Sequence, residues 1–95
     1  MEDLTVYQAT ITITDPVGLH ARPAAVVVQT AGKYGARIRL EHGEKRADAR
    51  SVIQLLALGV RQGSPVTVIA EGADAAQALD AVLQVLAGDI RPKGG

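Results

Sequence analysis

Cysteine, tryptophan and phenylalanine are all missing from the 95 residues of this chain, and tyrosine occurs only twice, at Tyr7 and Tyr34. Without thiols there can be no disulfide, no thiolate nucleophile and no zinc–thiolate site. His20 and His42 are the only histidines, so with no cysteine a structural zinc site is not expected. The lack of large rings means that the core must be built from Val, Leu, Ile and Ala. Packing has to be efficient, because a domain of this length buries only about 60–65% of its unfolded surface. Neither sign of charge predominates: ten Lys plus Arg balance ten Asp plus Glu. That balance argues against nucleic acid, which selects a basic excess. No apolar run is long enough to span a bilayer, and the start Met1-Glu2-Asp3 is acidic where a signal peptide is basic. The expectation is one soluble cytoplasmic domain with no cofactor, no metal and no membrane insertion, acting as a monomer.

Alternation and punctuation lay out the elements. Residues 10–14 alternate Thr and Ile, predicting a strand with Ile11 and Ile13 inward, and Asp15-Pro16-Val17-Gly18 breaks it. Residues 21–31 are small and aliphatic. Their Val26-Val27-Val28 run is compatible with a strand, whereas Pro23 near the start and Gly32 at the end favour a helix. Residues 37–41 alternate again, His42-Gly43 reads as an exposed turn with His42 solvated, and a short strand follows over 45–49. Ser51 and Gln54 form a capping-box pattern before a brief helix, with Leu55 and Leu58 on its core side, that stops at Gly59. Gly63-Ser64-Pro65 is a turn and 66–71 the last strand. Asp74 and Gln77 repeat the cap logic, Leu79, Val82, Leu83 and Leu86 make an apolar stripe, and Gly88 ends the helix. Residues 91–95 read as a flexible tail, leaving a single domain over 1–90. The order βαββαβα predicts an α+β, open-faced two-layer sandwich, an antiparallel sheet with three helices on one face. This pattern leaves the strand order open.

The chemistry concentrates in Gly18-Leu19-His20-Ala21-Arg22-Pro23-Ala24. Pro23 is comfortable in a first helical turn, where backbone N–H groups have no internal partner. His20 therefore sits at or just before a helix N-terminus, a place that favours an anion. Arg22 adds a cation with a donor fork suited to phosphate oxygens, and imidazole can carry a covalent group near neutral pH. Gly18 allows close backbone approach beside the histidine. These residues point to a histidine that is phosphorylated and gives the group away, with phosphate contacts at Gly18, Ala21 and Arg22. From the residues alone, a His that is merely a cap or a surface group competes with this reading.

The heptapeptide resembles the active-site signature of HPr, the histidine-containing phosphocarrier family of bacterial sugar phosphotransferase systems. Ala49-Arg50-Ser51-Val52-Ile53, Leu58-Gly59-Val60, Gln62-Gly63, Val66-Thr67-Val68 and Ala70-Glu71-Gly72 resemble family segments in the same order. The resemblance makes 21–31 a helix and implies the sheet order 1-4-2-3. It implies that Nδ1 of His20 accepts a phosphoryl group from enzyme I and passes it to sugar-specific A domains. It further implies an apolar docking patch at Ala21, Ala25, Val52, Ile53 and Leu56. Ser51 lies at the offset of the family's regulatory serine, which in Gram-positive relatives a serine kinase phosphorylates and a transcriptional co-regulator reads; it is equally a good helix cap. Gln29, Gly32 and Gln54 replace lysines common in the family, while Arg50 and Arg61 remain as a basic rim, and Val17 stands where many relatives have a polar cap. These departures bear on partner choice rather than on carrier chemistry. Related readings are a paralogous carrier serving nitrogen regulation or a dihydroxyacetone kinase, and a regulatory module acting through phospho-Ser51.

Overall fold

Period-two runs become strands and small-residue aliphatic runs become helices in the computed structural model, which describes residues 5–88. The elements are β1 (Val6–Thr12), α1 (Ala21–Ala31), β2 (Arg37–His42), β3 (Lys45–Asp48), α2 (Val52–Ala57), β4 (Pro65–Glu71) and α3 (Ala75–Leu86). All pairings are antiparallel and the sheet order is β1-β4-β2-β3, as the resemblance implied. The ends of the expected 1–90 domain and the expected tail at 91–95 lie outside the described residues. No helix among the described residues is long and apolar enough to cross a membrane.

Alternation decides which face of the sheet is covered. Ile38 and Leu40 of β2 are buried between exposed Arg37 and Arg39, and they register with Ala70 and Val68 of β4. Val66, Val68 and Ala70 are fully buried, joined by Val27 of α1, Leu55 of α2 and Val82 of α3. The core is therefore aliphatic, and its alanines (Ala24, Ala31, Ala75, Ala78) let helix backbones approach closely. Tyr34 packs half-buried against it, but Tyr7 lies exposed on β1.

Several boundaries differ from the sequence reading. β1 runs earlier than 10–14 because it pairs with β4 over its whole length, from Val6 opposite Glu71 to Thr12 opposite Pro65. Ile13 lies just past the strand yet remains buried, and its backbone bonds Ser64 and Gly63. Pro65 is the first residue of β4, a position that needs no ladder N–H. β3 stops at Asp48. His42 is not a solvated turn residue: it closes β2, half-buried, with Nδ1 3.0 Å from the Pro65 carbonyl oxygen. The stripe of α3 is rotated toward Ala75, Ala78, Val82, Val85 and Leu86, with Leu79 and Leu83 only partly buried.

The two cap patterns have different fates. Ser51 caps α2 as expected, its Oγ accepting from the Gln54 N–H at 3.2 Å. The reciprocal half of the box is absent, because the Gln54 side chain accepts from the Asp48 N–H instead. Asp74 makes no side-chain cap for α3. Its carboxylate reaches back to the turn before β2 and accepts from the N–H groups of Gly35 (2.9 Å) and Ala36 (2.8 Å). The Gly35 hydrogen bond, with those of Ala36 and its own backbone and the charge of Arg50, holds this carboxyl below its ordinary range against the opposing effect of desolvation. Arg50 completes the junction, donating to the carbonyls of Tyr34 (2.7 Å), Ala31 and Ala36 (3.4 Å each). It thus clamps the end of α1 through one guanidinium nitrogen while the residue stays exposed.

Candidate functional site

The helix that carries the site begins at Ala21, and His20 is its N-cap, with extended backbone angles (φ −104°, ψ −174°). A cap residue normally contributes its side chain to the helix amides. His20 does not, so its ring is available for other work. Pro23 stands at the third helical position, buried, where its missing N–H costs nothing. The Ala21 and Arg22 amides have no acceptor among the described residues, so two backbone donors face outward at the positive end of the helix dipole.

The loop before the helix is rigid for identifiable reasons. The Asp15 carbonyl accepts from the Gly18 N–H at 2.9 Å, and its Oδ1 accepts from the Val17 N–H at 2.8 Å. This is an Asx turn, a local substitute for a backbone turn. Leu19 N–H bonds the Val60 carbonyl at 3.1 Å and anchors the loop to the segment before β4. Gly18 has φ +79°, and a Cβ there would lie 2.3 Å from the Val60 oxygen. The glycine is required by this close approach. Its own N–H is already used within the turn, so the expected phosphate contact at Gly18 is not available to its backbone donor.

The second carboxylate oxygen of Asp15 faces the histidine: Oδ2 lies 3.5 Å from Nε2 of His20. Sequence reasoning used Asp15-Pro16 only as a strand breaker and missed this contact. The available signal was the Asp itself, five residues before the histidine and two before a residue whose N–H it could bind. His20, Asp15, Arg22 and Gly18 line one small cleft of about 120 Å³, walled by Ile13, Leu19, Pro23, Val85 and Leu86. Arg22 is exposed and makes no hydrogen bond or ion pair among the described residues. The cleft therefore combines the histidine with an arginine that has no partner among the described residues, at the helix start where the Ala21 and Arg22 amides lie, a set able to hold and stabilise a phosphoryl group. A larger open groove of about 600 Å³ runs along the sheet beside Arg37, Arg39, Arg46 and Asp48. It contains no histidine and no part of α1, and of its arginines Arg39 and Arg46 both pair with Glu41.

The residues expected to dock partners are arranged as follows. Ile53 is 81% exposed and Leu56 41%, while Val52 is half-buried. Ala21 is exposed and Ala25 half-buried on α1, which packs against α2. Val17, next to the site, is 68% exposed. Ser51 is half-buried at the start of α2.

Comparison with known proteins places this geometry. A family model described as the PTS HPr component phosphorylation site matches residues 7–88. A histidine-containing phosphocarrier protein from Mycoplasma superposes with a TM-score of 0.83 at 34% identity, covering 93% of this chain and 100% of that one. HPr from Thermoanaerobacter tengcongensis gives 0.81 at 40% identity, over 87% of this chain and 97% of that one. The phosphoryl donor subunit DhaM of the PEP-dependent dihydroxyacetone kinase of Providencia stuartii is 45% identical over 73 residues, 77% of this chain. This chain spans only 15% of the length of that relative. The match runs from within β1 to past the end of α3 and takes in the histidine cleft, and the chain belongs to the HPr family of phosphocarrier proteins.

Proposed function

We propose that His20 is the phosphoryl-carrying residue, that it accepts the group on Nδ1 from phospho-enzyme I in the cytoplasm, and that it passes it to a sugar-specific A domain. One observation carries the reading. The ring of His20 is not used as a helix cap and shares a cleft with Arg22 at the start of α1. Arg22 and the Ala21 and Arg22 amides supply fixed donors for the three equatorial oxygens as the group moves, so charge is stabilised without a metal. A relay protein must exchange partners quickly, which suits a modest apolar surface. Ile53, Leu56, Val52, Ala21 and Ala25 are the residues for it, and Ser51 adjoins them in sequence.

The resemblance to the DhaM subunit favours a second acceptor, a dihydroxyacetone kinase relay. Both readings share the same chemistry at His20 and differ only in where the group goes. The test is incubation with phosphoenolpyruvate and a cognate enzyme I, followed by intact mass. We expect one acid-labile phosphoryl group per chain, and none on His20→Ala, whose fold should persist because the ring makes no cap. Phosphorylation of His20→Ala at the normal rate would refute the assignment. Presenting the charged protein separately to an A domain and to a DhaM-type kinase relay then decides the acceptor.

A further inference from the structure

We infer that Asp15 is a positioning residue for phosphoryl transfer, which holds His20 in the Nε2–H tautomer and so presents Nδ1 as the nucleophile. The inference rests on the proposed role of His20. Its basis is the preorganisation of the carboxylate. Asp15 Oδ1 is fixed by the Val17 N–H at 2.8 Å and the Asp15 carbonyl by the Gly18 N–H. The loop is anchored in turn by Leu19 on Val60 and by the absence of a Cβ at Gly18. The remaining oxygen, Oδ2, therefore stays 3.5 Å from Nε2 without ordering a mobile side chain. A carboxylate accepts only, so the nitrogen facing it is the one that keeps the proton. The other nitrogen then carries the free lone pair. A carboxylate that fixes an imidazole tautomer is a recurrent device in catalysis, and removing it leaves the wrong nitrogen protonated.

The same contact serves both halves of the relay. On acceptance, the Nδ1 lone pair forms the Nδ1–P bond as the donor's bond to phosphorus breaks, and the donor atom keeps that electron pair. The Nε2 proton does not move. The ring of the phospho form then carries a positive charge on its Nε2–H side, which Asp15 faces and offsets. On delivery, the Nδ1–P bond breaks, its electron pair returns to Nδ1, and the ring leaves as neutral imidazole. Without the Nε2 proton it would have to leave as imidazolate, a far poorer leaving group.

Asp15→Asn gives a sharp test. The Val17 N–H needs an acceptor, so the amide oxygen takes the Oδ1 place and the NH₂ takes that of Oδ2. That NH₂ donates toward Nε2, which reverses the preference and puts the proton on Nδ1. The tautomer is read by ¹⁵N NMR of the His20 ring at a pH where it is neutral, and acceptance by single-turnover transfer from phospho-enzyme I. We expect the wild type to be mainly Nε2–H and the Asn variant to shift toward Nδ1–H. Transfer should slow by ~10–100-fold, with the affinity for enzyme I unchanged. Asp15→Ser is the second variant: its hydroxyl keeps the turn by accepting from Val17 but leaves nothing charged beside Nε2. It should give mixed tautomers and a smaller loss, and it decides the matter if the Asn variant fails to fold. A wild type mainly in the Nδ1–H form overturns the inference, as do variants with unchanged tautomer and rate. If the wild type is not phosphorylated on His20 at all, the proposed function fails instead, and the NMR result still reports on the contact.

Discussion

Arg22 and Asp15 flank the same ring but act on different things. Asp15 faces Nε2, the nitrogen proposed to keep its proton, whereas Arg22 is exposed and without a partner among the described residues, free for the group that His20 is proposed to carry. Arg22→Ala is therefore expected to slow transfer rather than weaken docking, by at most the roughly 2–4 kcal/mol in activation free energy that a preorganised donor supplies, because no contact among the described residues holds this side chain. Lysine should restore only part of the rate, because it lacks the planar fork. Transfer rate and enzyme I affinity measured separately check this, and an equal loss in both would count against it. His42, the other histidine, has its Nδ1 beside the Pro65 carbonyl at the end of β2, far in sequence from these groups. Gly18, two residues before His20, is there for packing, since its amide is used in the turn and its missing Cβ makes room for Val60.

At the scale of elements, α2 shows how a cap can coincide with a regulatory position. Ser51 Oγ bonds the Gln54 N–H, and Gln54 in turn ties Asp48 at the end of β3. Ser51→Ala is expected to cost about 1 kcal/mol of stability, read as a shift in the urea unfolding midpoint, with near-normal transfer. Asp is itself a competent N-cap, so Ser51→Asp should keep the helix. Its charge lies next in the chain to Val52 and Ile53, where desolvation on docking is costly, so acceptance from enzyme I should fall. If the Ala and Asp variants transfer equally well, Ser51 is a cap and no more. The capping-box pattern of 51–54 was legible as a helix start but not in its bonding. A glutamine side chain reaches whichever free N–H the fold brings near, and here that is the Asp48 amide.

The molecule as a whole is tied together where α1 ends, by the charges of Asp74 and Arg50. Asp74 accepts from Gly35 and Ala36 while Arg50 donates to Ala31, Tyr34 and Ala36, so α1, β2, β3 and α3 meet at one short loop. The Asp74 carboxyl is held below its ordinary range, first by the Gly35 hydrogen bond. A folded-state value below the unfolded one means stability that is fully present above the ordinary carboxylate range and is lost as pH falls through the folded value. Asp74→Asn should thus lower the urea midpoint at about pH 7, with the gap to wild type closing as pH falls below the ordinary carboxylate range. A gap that is unchanged or wider in acid would show that the charge of Asp74 contributes nothing there.

What the sequence determined by itself was local. Alternation in 37–41 and cap or breaker residues between runs act over a few positions, so most elements could be read directly, while the Val26-Val27-Val28 run left 21–31 to be settled as a helix by the family resemblance. The heptapeptide around His20 was legible for the same reason, because a strand-to-helix junction brings its His, Arg and first amides together without help from elsewhere. The tertiary structure decided whatever depends on distant partners. It extended β1 back to Val6, because β4 supplies a ladder that the sequence of β1 does not contain. It sent Asp74 to amides 38 and 39 residues away rather than to its own helix, and drew Arg50 onto the carbonyls at and just past the end of α1. It also aimed Oδ2 of Asp15 at His20 by anchoring their loop on Val60. In each case the partner or anchor lies on another segment, which local sequence cannot place and long-range packing brings near.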